Sequence, residues 1–88
     1  MSAAKKEAPR FHVIVHGPEA VLWEGEAASI TAENTKGVFD ILPGHANFIS
    51  IVSEKPILIR GGGEDRTFQF ASSILSVKNG AVSIYSNV

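Results

Sequence analysis

Apolar and polar residues alternate in short runs along the chain, and turn-forming residues separate the runs. Residues 11–16 (FHVIVH), 20–26 (AVLWEGE), 29–33 (SITAE), 38–42 (VFDIL), 47–52 (NFISIV), 56–60 (PILIR), 67–71 (TFQFA), 74–78 (ILSVK) and 81–86 (AVSIYS) each read as a strand. A period of two sends one set of side chains into a core and the other outward. Phe68 and Phe70 then point one way, with Thr67 and Gln69 opposite; Val82 and Ile84 oppose Ser83 and Tyr85. Residues 57–59 (ILI) and 48–49 (FI) are apolar on both faces, which predicts strands that are central or covered by another subunit. No run of helical period exceeds two turns. The spacing predicts an all-β fold, a small antiparallel β-sandwich or flattened barrel of about 8–10 short strands.

Two turns are specified by their residues. Asn79-Gly80, between alternating runs, predicts a type I′ hairpin, whose twist suits the flanking strands. Residues 37–48 (GVFDILPGHANF) read as strand, turn and strand. Pro43 presets the φ of the first central position, and Gly44 can take the positive φ that a type II turn needs at the second. His45 follows directly. Such a turn is either a structural corner or a displayed contact loop, and the local residues leave both open. Residues 1–9 read as a flexible N-terminal tail ended by Pro9, and residues 10–88 as the folded domain. Gly61-Gly62-Gly63 precedes Glu64 and Asp65, acids that repel phosphate, so it reads as a flexible hairpin loop and not a phosphate cradle.

Composition removes most chemistry. A chain of 88 residues is one small domain with a modest core. A net charge of −1 supplies no basic field for nucleic acid. Without cysteine there is no disulfide, thiolate catalysis or cysteine-type zinc site. The charged share of 19% is below the usual level of about 25%, in keeping with a domain part of whose surface is covered. His12 and His16 would share a face of one strand about 13 Å apart, too far for one metal ion. Ser72-Ser73 have no base nearby in sequence, and no nucleophile elbow occurs, so a small hydrolase lacks its parts. Trp23 reads as a half-buried strand residue; a carbohydrate site would want exposed aromatics beyond Tyr85. No apolar run approaches the roughly 20 residues of a membrane span, and the first ten residues are no signal peptide, so the expected compartment is the cytoplasm. The expectation is a non-catalytic chain with no cofactor and no metal. A free-standing β-sandwich that binds a small ligand or carbohydrate is the alternative.

The order of motifs adds a resemblance. Residues 37–46 (GVFDILPGHA), 15–25 (VHGPEAVLWEG) and 70–86 (FASSILSVKNGAVSIYS) resemble, in order and spacing, the N-terminal β-sandwich domain of the epsilon subunit of F-type ATP synthases, called delta in mitochondria. The resemblance spans residues 10–88. It implies a central-stalk rotor subunit of a proton- or sodium-translocating synthase, bridging the gamma subunit and the membrane rotor ring. Such a subunit would be peripheral, at the cytoplasmic face of the energy-coupling membrane. It implies ring contact around residues 34–38 and 43–47, with Lys36, Val38, Asp40, Pro43, Gly44, His45 and Asn47. It also implies gamma contact near Phe48, Ile49 and Ile51, with His45 at its margin. Two positions depart from the family pattern. Ser72-Ser73 replace a glycine pair, and Val38 stands where many bacterial members carry an acid that faces the ring. The family usually continues into a C-terminal helical hairpin; residues 10–88 are expected to form no C-terminal helical hairpin, so the resemblance implies neither self-inhibition nor nucleotide binding by these residues.

Overall fold

A computed structural model describes residues 9–87. Its elements are strands alone: β1 (Phe11–His16), β2 (Val21–Ala27), β3 (Ser29–Asn34), β4 (Gly37–Ile41), β5 (Phe48–Val52), β6 (Ile57–Arg60), β7 (Arg66–Phe68), β8 (Ser73–Lys78) and β9 (Ala81–Ser86). The expected tail, residues 1–9, lies outside the described residues except for Pro9, which is exposed. The strands form two sheets, β2-β1-β9-β8-β5 and β4-β3-β6-β7. The all-β sandwich expected from the alternation is the fold. One pairing departs from the antiparallel rule: β1 and β9 run parallel, with Val13 beside Val82 and Val15 beside Ile84.

The period of two explains the core. Val13, Val15, Leu75, Val77, Val82 and Ile84 project from the five-stranded sheet, and Ile30, Ala32, Ile41, Ile57 and Ile59 come from the other strands; all are buried. Trp23, Phe39, Phe48, Phe68 and Phe70 pack around this cluster, each only partly buried. The two strands that are apolar on both faces take different places. β6 lies inside the four-stranded sheet, where Leu58 is half-buried; β5 is the edge of the five-stranded sheet and leaves Ile49 and Ile51 in solvent.

Turn geometry follows the residues. Gly44 has φ 84°, and the His45 amide donates to the Leu42 carbonyl at 3.0 Å, as a type II turn requires. This turn does not close a hairpin. β4 pairs with β3 and β5 pairs with β8, so residues 42–47 carry the chain from one sheet to the other. Asn79 and Gly80 have φ 50° and 80°, the two positive values of a type I′ turn.

Three expectations are refined. The strand expected over residues 67–71 is shorter, because the Phe70 carbonyl accepts the Glu54 amide and the Gln69 side chain donates to the Glu54 carbonyl. Residues 69–70 therefore serve the turn after β5 instead of the ladder, although Phe68 and Phe70 still stack at 6.0 Å. Ser73 opens a regular ladder, Ser72 lies in the bend just before it, and neither residue has positive φ. The buried Ser73 hydroxyl donates to the Val52 carbonyl at 3.2 Å. The glycine run is not merely a flexible loop. A Cβ on Gly62 would overlap the Glu26 carbonyl, because the loop lies directly on the end of β2.

That close approach gives a test. Gly62→Ala should lower stability by about 1–3 kcal/mol, the usual cost of overpacking, read as an earlier urea midpoint. A neutral change would show that the loop does not hold this contact.

Candidate functional site

The histidines are engaged with neighbours. His12 Nε2–H donates to Glu24 across β1 and β2 at 2.7 Å, with both side chains about half exposed. His16 stacks on Tyr85 with ring centroids 4.6 Å apart and planes nearly parallel, at 6°. His45 Nδ1–H donates to the Ala46 carbonyl at 2.8 Å, and its ring lies 4.9 Å from Phe48. Among the described residues no group of three or more His, Cys, Asp or Glu side chains could hold a metal ion. Among the described residues none of the three histidines is hydrogen-bonded to a serine or threonine hydroxyl, so no nucleophile–base pair forms.

What the surface does offer is an apolar row. Strand register aligns His16 with Tyr85, Tyr85 with Ile74, and Ile74 with Ile51, across β1, β9, β8 and β5. The next row aligns Ile14, Ser83, Ser76 and Ile49. These residues alternate with the buried set, so they share the outer face of the five-stranded sheet. Ile49 is 71% exposed, Ile51 62%, Tyr85 48% and Ile74 46%. Four strands at about 4.8 Å spacing make the row about 14 Å wide. Three large apolar side chains and a tyrosine are thus gathered on one outer face.

The edge of this face opens into a groove of about 620 Å³ between β5 and the tip of the β3–β4 hairpin. Lys36, Ile49 and Ile51 line it together. Asn34 builds the hairpin tip: its amide donates to the Ser50 hydroxyl at 3.0 Å, and its carbonyl oxygen accepts the Lys36 backbone N–H at 2.8 Å. Along β4, Val38 points outward and is 68% exposed, while Asp40 accepts a hydrogen bond from Thr31 at 2.7 Å.

Residues 10–88 match the family profile described as the ATP synthase delta/epsilon chain β-sandwich domain. The chain belongs to this family. It is 37% identical over 78 residues to an ATP synthase epsilon chain of Clostridium novyi, and 31% identical over 77 residues to one of Leptospira borgpetersenii. Each match covers 88% of this chain and 60% or 61% of the relative, so the chain spans about three fifths of the length of these relatives. The fold is shared with a chain of the Tetrahymena thermophila mitochondrial ATP synthase central stalk and c-ring structure (TM-score 0.76, 15% identity, 94% of this chain and 67% of that one). A chain of the Euglena gracilis mitochondrial ATP synthase matches similarly (TM-score 0.79, 15% identity, 92% and 52%). Among the described residues no helix is long and apolar enough to cross a membrane.

For a delta/epsilon-type domain, the positions of the expected contact residues matter. Phe48 is turned inward, edge-on to Phe39 at 5.6 Å, so it does not share the face of Ile49 and Ile51. The loops at residues 34–36 and 42–47 lie at opposite ends of β4, about 16 Å apart for a five-residue strand. Pro43, Gly44, His45 and Asn47 sit together at one end, where the Asn47 side-chain Oδ1 accepts the Asn79 backbone N–H at 2.9 Å. Sequence reasoning did not name Ile74, Tyr85 and His16 as surface partners of Ile51. A signal existed: the Asn79-Gly80 turn pairs Lys78 with Ala81, and counting back four places pairs Ile74 with Tyr85.

Asn34 should behave as the structural residue of the groove and Lys36 as a free one. Asn34→Ala should lower stability by about 1–2 kcal/mol by removing two hydrogen bonds, and Lys36→Ala should change it by less than about 0.5 kcal/mol. Thermal unfolding distinguishes them; equal effects would contradict the assigned bonds.

Proposed function

We propose that the chain is a non-catalytic rotor subunit of the central stalk in a proton- or sodium-translocating F-type ATP synthase. In this role it bridges the gamma subunit and the membrane rotor ring and helps couple ion flow to ATP synthesis. It is then a peripheral protein at the cytoplasmic face of the energy-coupling membrane. The observation that carries the reading is the apolar row His16–Tyr85–Ile74–Ile51, with Ile49 beside it, on a domain of the ATP synthase delta/epsilon family.

The outer face of the five-stranded sheet is the gamma side, since burying apolar surface is the main drive for association. Lys36 at the hairpin tip, the outward side of β4 with Val38 and Asp40, and the turn with Pro43, Gly44, His45 and Asn47 face the ring. Because these loops sit at opposite ends of β4, the strand lies along the ring instead of touching it end-on. With Val38 apolar, the charges available at this contact are those of Lys36 and Asp40. A two-sheet body suits torque transfer: shearing it means breaking strand ladders and close packing together.

Each buried isoleucine contributes about 1.5–3 kcal/mol. The double variant Ile49→Asp, Ile51→Asp should therefore weaken binding to the matching gamma subunit by at least about 100-fold, with the unfolding temperature little changed. Calorimetry or co-migration reads this. Unchanged affinity would remove the face from the interface, and absence of binding by the folded unsubstituted chain would overturn the function.

A further inference from the structure

The tip of the β8–β9 hairpin combines three features that stabilising a turn does not require. Asn79 and Gly80 are both exposed, and the space beside the Gly80 Cα is open, with nothing within 4 Å of where a Cβ would stand. The side-chain amide of Asn79 has no hydrogen-bond partner among the described residues, whereas the Asn34 amide is bonded at both ends and the Asn47 oxygen is bonded to Asn79. Asn87 is followed in sequence by Val88, and a β-branched residue at that position slows attack by its own backbone nitrogen. The backbone of Asn79 is held at φ 50° by its N–H bond to Asn47, and this is the one hydrogen bond tying the hairpin tip to the turn at residues 42–47 among those between the two loops' described residues.

We infer that Asn79-Gly80 is a site of spontaneous backbone modification, and that conversion of Asn79 to isoaspartate releases the turn carrying Pro43, Gly44, His45 and Asn47. The Gly80 backbone nitrogen loses its proton to hydroxide or water and attacks Asn79 Cγ. The N–Cγ bond forms, the Cγ–Nδ2 bond breaks, and ammonia leaves with a proton from solvent. The product is a five-membered succinimide. Water opens it at either carbonyl, giving aspartate or isoaspartate, and no electrons change hands. Isoaspartate carries the chain through the former side-chain carbon, adding one methylene to the backbone of a two-residue turn.

That insertion has a defined consequence. The type I′ turn fits its strands because two residues separate Lys78 from Ala81. A longer backbone moves the residue-79 N–H away from the Asn47 oxygen, so the turn at residues 42–47 loses its cross-link to the hairpin. The new carboxylate also adds a negative charge at the same end of the sandwich. Ring closure needs the Asn79 Cα–C bond to rotate out of the type I′ geometry, and the Asn47 bond to the Asn79 N–H stabilises the turn in that geometry. Asn47 is thus a positioning residue that sets the rate.

The test is chemical and does not depend on the gamma subunit or the ring. The purified chain is aged at mildly alkaline pH, and the amide-to-acid mass gain is mapped by peptide. It should appear first at Asn79, ahead of Asn34, Asn47 and Asn87. Asn47→Ala should speed it by about fivefold, the population shift expected for one lost hydrogen bond. Hydrogen exchange of the aged isoaspartate form should show faster exchange at residues 42–47. Asn79→Asp adds the charge without the methylene and should keep that segment protected. The inference is overturned by equal rates at Asn34 or Asn87, by an Asn47→Ala rate equal to the unsubstituted one, or by an isoaspartate form whose residues 42–47 stay protected.

Discussion

Everything in this molecule depends on the burial of alternate side chains between two sheets. Val13, Val15, Leu75, Val82 and Ile84 on one side, with Ile30, Ile57 and Ile59 among those on the other, form the contact that holds the nine strands of the described residues together. No disulfide helps, and the chain has only 88 residues. Once these residues face inward, the period of two dictates which residues face out. Tyr85, Ile74 and Ile51 are exposed because Ile84, Leu75 and Val52 are buried. The proposed docking face is in this sense a by-product of the core register, made useful by apolar residues where solvent would ordinarily favour polar ones.

The second constraint is the connection between the sheets. The turn at residues 42–45 hands the chain from β4 in one sheet to β5 in the other. Phe39 and Phe48, inward on either side of it, meet edge-on and anchor the crossing. The question raised by Pro43-Gly44-His45, corner or contact loop, has a structural half that is now plain. The turn is a corner, with the His45 amide bonded to Leu42 and Asn47 bonded to the neighbouring hairpin. Its exposed residues lie beside that fixed framework, which is how a rigid scaffold displays a loop.

Much of the fold was legible because strand alternation and turn chemistry agree locally. Asn79-Gly80 and Pro43-Gly44 take the backbone conformations that their residues favour. What stayed hidden was long-range. Nothing in residues 11–16 or 81–86 announces that β1 and β9 pair in parallel, since such pairing joins segments far apart in the chain. Phe48 read as a surface contact because it neighbours Ile49, but parity puts the two on opposite faces of β5. The role of Gly62 was hidden for the same reason: the Glu26 carbonyl beneath it comes from a distant strand. The apolar row needed three registers at once, of which local sequence supplies only the hairpin's.

The central claim is that the outer face of the five-stranded sheet is the surface through which this domain joins its complex. Hydrogen exchange of the chain alone and with the matching gamma subunit tests it most directly. The account predicts new protection concentrated in β5, β8 and β9, at and around Ile49, Ile51, Ile74 and Tyr85. Protection confined to the opposite edges, at β2 around Val21 and Leu22 and at β7 around Arg66, with β5 and β8 unchanged, would contradict it.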